Sequence, residues 1–377
     1  MRAALEPSPF AGRNRLVPEV LRTMPRLVPA ETKSRKSINE RHALKWAARN
    51  FHFAAMLALT LGLPLALRAA RFPIRFNWPQ YFVNYWFVFG VRAILGAAIL
   101  FVIGCPDQFR RWLGAPRSKD PIGAQLMRFG KRAGAVFLPA AYLFAGLIVA
   151  FSYNDIIAAL KFNFEADARL NRIDAWMMHG LTASRVAHAL ATRVPLRTFD
   201  VMTVIYFLLF PALGSTLVFL ALQSGAGRAT QFVGALMTSY AIVIACFYFI
   251  PAVGPFVICS DHFAVFPRTM TMYAGHFEYI EILTGYMAGR RPDILGPHYF
   301  AALPCMHIVQ PLIALWFLRP WKRIAAIFVA FNIVLVPCIL LLEQHYVIDL
   351  LAGVPLAVLA VAMAEGFETG FAAKQSP

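Results

Sequence analysis

Residues 323–364 read RIAAIFVAFNIVLVPCILLLEQHYVIDLLAGVPLAVLAVAMA, two apolar runs, 323–342 and 345–364, that meet at the polar group Glu343-Gln344-His345. Each run is about twenty residues, the length a helix needs to cross about 30 Å of hydrocarbon. Working back along the chain, comparable runs recur at 51–69, 80–104, 134–154, 198–222, 230–256 and 300–318. Helix is the expected form for all eight, because a spanning segment must satisfy its backbone donors internally where no water is available. The fold class is therefore an all-α integral membrane protein with about eight transmembrane helices.

Composition agrees: of 377 residues 59% are hydrophobic and only 15% charged, against about 25% charged in an ordinary soluble domain. A formal charge of +17 would by itself point to nucleic acid, but the position of the charges argues otherwise. With the N-terminus inside, the segments 1–50, 105–133, 223–229, 319–323 and 365–377 carry 23 basic and 8 acidic residues, a net +15, and the rest of the chain carries +2. Basic residues held on one side are the signature of cytoplasmic loops, with some attraction to anionic headgroups. No nucleic-acid partner is expected. Residues 1–50 read as a basic, disordered tail without the apolar run and cleavage site of a signal peptide. Two segments on the opposite side are long. In 155–197, Ile173, Trp176, Met177, Leu181, Val186 and Leu190 approximate one helical face, which suits a helix lying at the membrane interface. Residues 257–299 mix charges with aromatics and read as a lid or substrate loop.

Ionisable side chains at membrane depth are costly and ask for a reason. His307, His345 and Asp349 lie at the ends of the last three spans, and the charge-derived topology brings all three to the outer face. His345 and Asp349 are four apart, so on a helix they share a face and the carboxylate can hold one imidazole nitrogen, leaving the other free. Pro304, three residues before His307, suits a first helical turn whose free amides would surround an anion. Two histidines, a carboxylate and a helix start fit phosphoryl transfer. A single histidine in such a place is more commonly a packing residue, and an HxxxD pair can be half of a metal site; it is the convergence of three that favours chemistry. The cysteines, at 105, 246, 259, 305 and 338, show no metal-binding spacing. Cys259 and Cys305 share the outer side, where a disulfide is permitted.

Pro304-Cys305-Met306-His307, followed some forty residues later by HYVIDLLAG at 345–353, resembles the second and third signature motifs of the type 2 phosphatidic acid phosphatase superfamily. The nearest variant is its inositolphosphotransferase branch, which includes inositol phosphorylceramide synthases; FIPAVGP at 249–255 resembles the proline-rich segment of that branch. The resemblance covers 134–365. It implies a six-helix catalytic core there, with 51–133 forming two accessory helices and a basic loop and 366–377 a C-terminal tail. It also implies that His345 attacks phosphorus, Asp349 orients it and His307 protonates the leaving alcohol, with no metal and no cofactor.

Departures are specific. Cys305 and Met306 replace a Ser-Gly or Ser-Leu pair, Gln344 stands where the branch has a first histidine, and Ile339 stands where the superfamily has an arginine. The first superfamily motif finds only Arg291-Pro292, with Thr284 at its lysine position. Arg290 and Arg291 are candidates for a phosphate clamp, with Gln344 and Cys305 as further phosphate contacts. The expected activity is a phosphatase or phosphotransferase acting on a membrane lipid phosphate or phospholipid, with water or a second lipid alcohol as acceptor. Its site would lie on the periplasmic or outer face of a bacterial inner membrane, with the N-terminus cytoplasmic. The rival reading is a non-catalytic lipid-binding scaffold or transporter with the same fold. A haloperoxidase-like oxyanion site would use the same residues but suits so apolar a chain poorly.

Overall fold

The computed structural model describes residues 35–69, 88–107, 122–258, 271–290 and 300–366. The chain divides into two units, Met1–Leu44 and Lys45–Pro377, and the candidate site lies wholly in the second. The described residues form twelve α-helices and no strand: α1 Arg35–Ala69, α2 Val88–Gly104, α3 Ile122–Lys161, α4 Phe164–Met177, α5 Ala183–Ala191, α6 Arg197–Phe207, α7 Leu209–Ser224, α8 Ala226–Phe249, α9 Thr271–Met287, α10 Met306–Leu318, α11 Lys322–Leu341 and α12 Val347–Ala364. All-α architecture is thus as expected. Because α1 begins at Arg35, the last part of the expected N-terminal tail is helical.

Six stretches are long and apolar enough to cross a membrane: Leu44–Ala69, Gly134–Lys161, Arg197–Ser224, Ala226–Phe249, Lys322–Leu341 and Val347–Ala364. The other two expected spans are the shorter apolar helices Val91–Gly104 and Met306–Leu318. The fourth span is broken between α6 and α7 at Leu208. Pro211 explains the break, since it lacks an N–H and crowds the carbonyl four residues earlier. The fifth and sixth spans are shorter as helix than expected. α8 ends at Phe249, before Pro251, and α10 starts only at Met306. At 1.5 Å per residue α10 covers only about 20 Å, so irregular backbone at 300–305 continues its course. Such backbone is tolerated at membrane depth only where protein buries it, and Phe300, Ala301, Ala302 and Cys305 are all buried.

α8 is the hub, packing against α3, α7, α10 and α12. Between membrane helices lipid is as apolar as leucine, so close approach of small residues is what holds a pair together. α2 and α7 meet in this way along a reciprocal seam. A Cβ on Gly96 would fall 2.1 Å from the Ser215 hydroxyl, and one on Gly214 would fall 2.6 Å from the Ala93 methyl. At the functional end of α12 the same device is used: a Cβ on Gly353 would meet Ile308 Cγ2 at 2.4 Å and the Cys305 carbonyl at 3.0 Å. α12 is thereby pressed onto the start of α10.

Candidate functional site

Two irregular segments, 250–254 and 300–305, form the floor of the site, and most of their backbone amides have specific acceptors. The Ala302 amide donates to the Ala252 carbonyl at 2.9 Å, and the Cys305 amide to the Asp349 carbonyl at 3.0 Å. The Ala301 amide donates to Asn154 Oδ1 of α3 at 3.0 Å. Asp167 of α4 takes the amides of Val253 (3.0 and 3.1 Å) and Gly254 (2.8 Å) and the hydroxyl of Tyr346 (3.1 Å). One turn-pair further along α4, Asp174 accepts the amides of Val347 (2.7 Å) and Ile348 (3.0 Å) and so caps α12 from outside its own sequence. Ala166, Leu170, Ala252, Ala302 and Tyr346 pack together beneath this network.

On that floor stand the two histidines. His345 Nδ1 donates to the Ala302 carbonyl at 2.9 Å, an acceptor that can only receive a proton, so in the neutral ring Nε2 carries the lone pair. His307 Nδ1 lies 3.0 Å from His345 Nε2. The Tyr206 ring of α6 stacks on His307 at 4.3 Å, and its hydroxyl lies 3.4 Å from His307 Nδ1 and 3.4 Å from Gln344 Oε1. Gln344 also contacts His276 of α9 through its amide nitrogen, and His276 lies flat on Phe256 at 4.2 Å. His307, His345, Asp349, Cys305, Tyr206 and His276 are all buried.

A sequence model of the PAP2 superfamily matches residues 169–363, from within α4 to the last turn of α12. The chain belongs to the PAP2 superfamily. No curated protein and no solved structure matches it. PAP2 membership supports a phosphatase-type activity on lipid phosphates, and the matched region contains both histidines, Asp349, Cys305 and Gln344.

Within this PAP2 fold the expected residues stand as follows. His307, His345 and Asp349 are brought together, but not by the expected helical spacing. α12 starts at Val347, so His345 precedes it and Asp349 is its third residue. Asp349 Oδ2 accepts the Tyr346 amide at 2.8 Å and lies 3.5 Å from His345 Nδ1; the nearer partner of that nitrogen is the Ala302 carbonyl. Pro304 precedes rather than opens α10, where Cys305 is the N-cap and His307 the second residue. Cys305 is a free thiol, and Cys259 lies outside the described residues. Gln344 is at the site. Arg290 is exposed just beyond α9 and takes part in none of these contacts, while Arg291 and most of the loop around it lie outside the described residues. The interfacial stretch is two helices, α4 and α5, separated by a turn in which His179 and Gly180 take positive φ. Of the residues expected on its apolar face, Ile173, Trp176, Leu181 and Val186 are exposed, Trp176 at 79%, whereas Leu190 packs against the core.

Four contributors went unseen in the sequence: Tyr206, His276, Asp167 and Asp174. The two aspartates carried a signal, since with Leu170 they fall at i, i+3 and i+7, on the face of α4 opposite Trp176. Burial pushes the Asp167 carboxyl up to about 7, against the pull of the Gly254 and Val253 amides and the Tyr346 hydroxyl. Burial raises Asp174 as well, opposed by the Val347 and Ile348 amides.

Gly254 has φ +144, a conformation that side chains rarely adopt, and a Cβ there would meet the Gln344 carbonyl at 2.7 Å. Gly254→Ala is expected to cost about 2 kcal/mol or more, read as a lowered melting temperature in detergent, and to lower turnover by displacing Gln344 and His345.

Beside the histidines, burial pushes the Glu343 carboxyl up to about 8, with the Ser184 hydroxyl pulling the other way. A folded-state value above the unfolded one (about 4.3) means that the folded protein holds the extra proton between the two. The stability this confers is full at low pH and is lost as pH rises through the folded value. Thermal melts from pH 5 to 9 should therefore show a smaller decline in Glu343→Gln than in the wild type; equal slopes would contradict the assignment.

Proposed function

We propose that this protein is a membrane lipid phosphatase or phosphotransferase working through a phosphohistidine on His345. The carrying observation is the pairing of His345 Nε2, its other nitrogen held by the Ala302 carbonyl, with His307 Nδ1 at 3.0 Å. In the first half-reaction Nε2 attacks phosphorus, the N–P bond forms as the P–O bond to the lipid alcohol breaks, and His307 gives that alkoxide its proton. In the second, water or another alcohol attacks phosphorus, the N–P bond breaks and the proton returns to His307. Asp349 steadies the charge that builds on His345. For a phosphate to enter, the two nitrogens must separate to roughly 6–7 Å, because a near-attack distance of about 3 Å to phosphorus, the P–O bond to the leaving oxygen and a hydrogen bond of about 2.8 Å to that oxygen lie in series. Rotation of His307 beneath Tyr206 supplies this opening.

The bilayer would deliver the lipid laterally, and the region 257–299, through α9 with His276 against Gln344, would select the headgroup; Arg290 and Arg291 are its candidate phosphate clamp. The likeness of the PCMH and HYVID motifs to the inositolphosphotransferase branch favours a phosphoalcohol such as phosphoinositol as the group moved. The charge distribution favours a cytoplasmic N-terminus and a site on the outer face of a bacterial inner membrane. One observation favours a non-catalytic lipid-binding scaffold instead: Ile339, buried in α11, occupies the position of the superfamily's phosphate-binding arginine.

The two readings separate on turnover. Detergent-purified protein should release phosphate or headgroup from members of a panel of lipid phosphates and phospholipids, and rapid quenching should trap an acid-labile phosphoprotein that is absent from His345→Ala. A wild-type protein with no turnover on any lipid would favour the scaffold.

A further inference from the structure

We propose that Cys305, His307 and His345 together form a three-ligand site for a soft divalent cation of the zinc class, which takes the place of the substrate phosphate and silences the enzyme. One ligand atom from each of these residues lies within 4.8 Å of the others, and all three side chains are buried. The inhibitory half of this proposal rests on the catalytic reading of the histidines; the binding half does not.

The geometry suits a cation better than it suits a phosphate. Tetrahedral zinc with Zn–N bonds of about 2.0–2.1 Å holds two imidazole nitrogens about 3.3 Å apart. His307 Nδ1 and His345 Nε2 are already 3.0 Å apart, so metal entry moves the two nitrogens by a few tenths of an ångström where phosphate entry moves them by two or more, and the Cys305 sulfur, within 4.8 Å of both, closes to about 3.5 Å as Zn–S forms at about 2.3 Å. The ligand nitrogen of His345 is preset, because its Nδ1 donates to the Ala302 carbonyl at 2.9 Å. An imidazole whose far nitrogen is tied to a carbonyl or carboxylate is the usual supporting arrangement for a metal-binding histidine. Asp349 Oδ2, 3.5 Å from that same nitrogen, adds a negative charge behind the ring.

The third ligand is what distinguishes this chain. Cys305 stands where the motif it resembles has serine, and a thiolate with two imidazoles selects zinc or its soft neighbours over magnesium or calcium. The backbone that carries the sulfur is held in place. The Cys305 amide is bonded to the Asp349 carbonyl, its carbonyl abuts Gly353, and Cys305 and His307 open the same helix. Three protein ligands leave a fourth position for water or a substrate oxygen. On binding, the thiol proton passes to solvent, the proton that His307 Nδ1 shares with His345 Nε2 leaves that nitrogen for the other nitrogen of the His307 ring or for solvent, and the His345 lone pair that would attack phosphorus is occupied by the metal.

The test uses the full chain in detergent, made without a polyhistidine tag and stripped with chelator, and titrated with Co²⁺ as a spectroscopic stand-in for Zn²⁺. One equivalent should produce the visible bands of a tetrahedral ion together with a sulfur-to-cobalt charge-transfer band, and Zn²⁺ should displace it. Cys305→Ser should abolish the charge-transfer band and weaken Zn²⁺ binding by more than about 100-fold, beyond what loss of a supporting contact costs. Cys246→Ser and Cys338→Ser, which alter cysteines elsewhere, should bind as the wild type does. An octahedral spectrum, or Zn²⁺ affinity unchanged in Cys305→Ser, overturns the site. For the inhibitory half, Zn²⁺ should stop lipid-phosphate turnover and chelator should restore it. Stoichiometric binding with undiminished turnover would overturn that half alone, and metal binding by a protein with no turnover would overturn the catalytic reading while leaving the metal site standing.

Discussion

His345→Ala should abolish lipid-phosphate turnover, by about 10⁴-fold or more, while the protein still folds and inserts. Loss of a covalent nucleophile removes the whole two-step route and leaves only what binding and charge stabilisation achieve, and in enzymes that work this way the cost reaches several orders of magnitude. His307→Ala should fall less, by about 10²–10⁴, the range for a general acid. It should also fall unevenly: a substrate whose alcohol is already a good leaving group, such as an aryl phosphate ester, needs little protonation and should be largely spared. His345→Ala should make no such distinction. Parallel assays on an alkyl and an aryl ester therefore separate the roles. Equal losses for both substrates in His307→Ala would reject the acid assignment, and substantial turnover in His345→Ala would reject the nucleophile.

Asp167→Ala should be the most damaging substitution outside the histidine pair, although Asp167 is separated from His345 by most of the matched region. Removing the carboxylate strands the amides of Val253 and Gly254 and the hydroxyl of Tyr346 in a buried place. At about 1–3 kcal/mol for each of these three buried unsatisfied groups, the loss is about 3–9 kcal/mol, a large share of the 5–15 kcal/mol that typically separates folded from unfolded protein. Asp167→Asn is the informative companion. Its Oδ1 can still accept all three bonds, and only Nδ2 is set against the Val253 amide, so it should retain a folded state with a modestly lowered melting temperature. If Asp167→Ala melts as the wild type does, the carboxylate does not hold the floor of the site. Asp174→Ala should act more locally, by uncapping α12 and loosening His345 with a smaller loss of stability.

Much of the fold was legible because hydrocarbon imposes a simple length rule: the eight expected spans correspond to six long helices and two short ones. Histidines 307 and 345 were legible as well, because polarity at the end of an apolar run is conspicuous. The ends of the helices were not. Pro251 and Pro304 both precede a change of backbone direction, yet hydropathy counts 250–256 and 300–305 as span because their side chains are apolar. Their irregular course depends on donors being met by Asn154, Asp167 and the Ala252 carbonyl; local periodicity turns Asp167 inward, but no local pattern reveals which amides it meets.

From the sequence alone came the membrane character, an expected sidedness of the charge, and the meeting of His307, His345 and Asp349 at one end of the bundle. These follow from composition and span parity, which are properties of the chain taken segment by segment. Only the tertiary structure decided which atom holds His345: the Ala302 carbonyl takes the bond expected of Asp349, because α12 begins after His345 rather than at it. Only the tertiary structure, too, matched Asp167 and Asp174 to their backbone amides and set the Cys305 sulfur beside two imidazoles. Cys305 and His345 are forty residues apart, and in a buried site the partner of a polar atom is fixed by which backbone groups lack water, a quantity that exists only once the helices have packed.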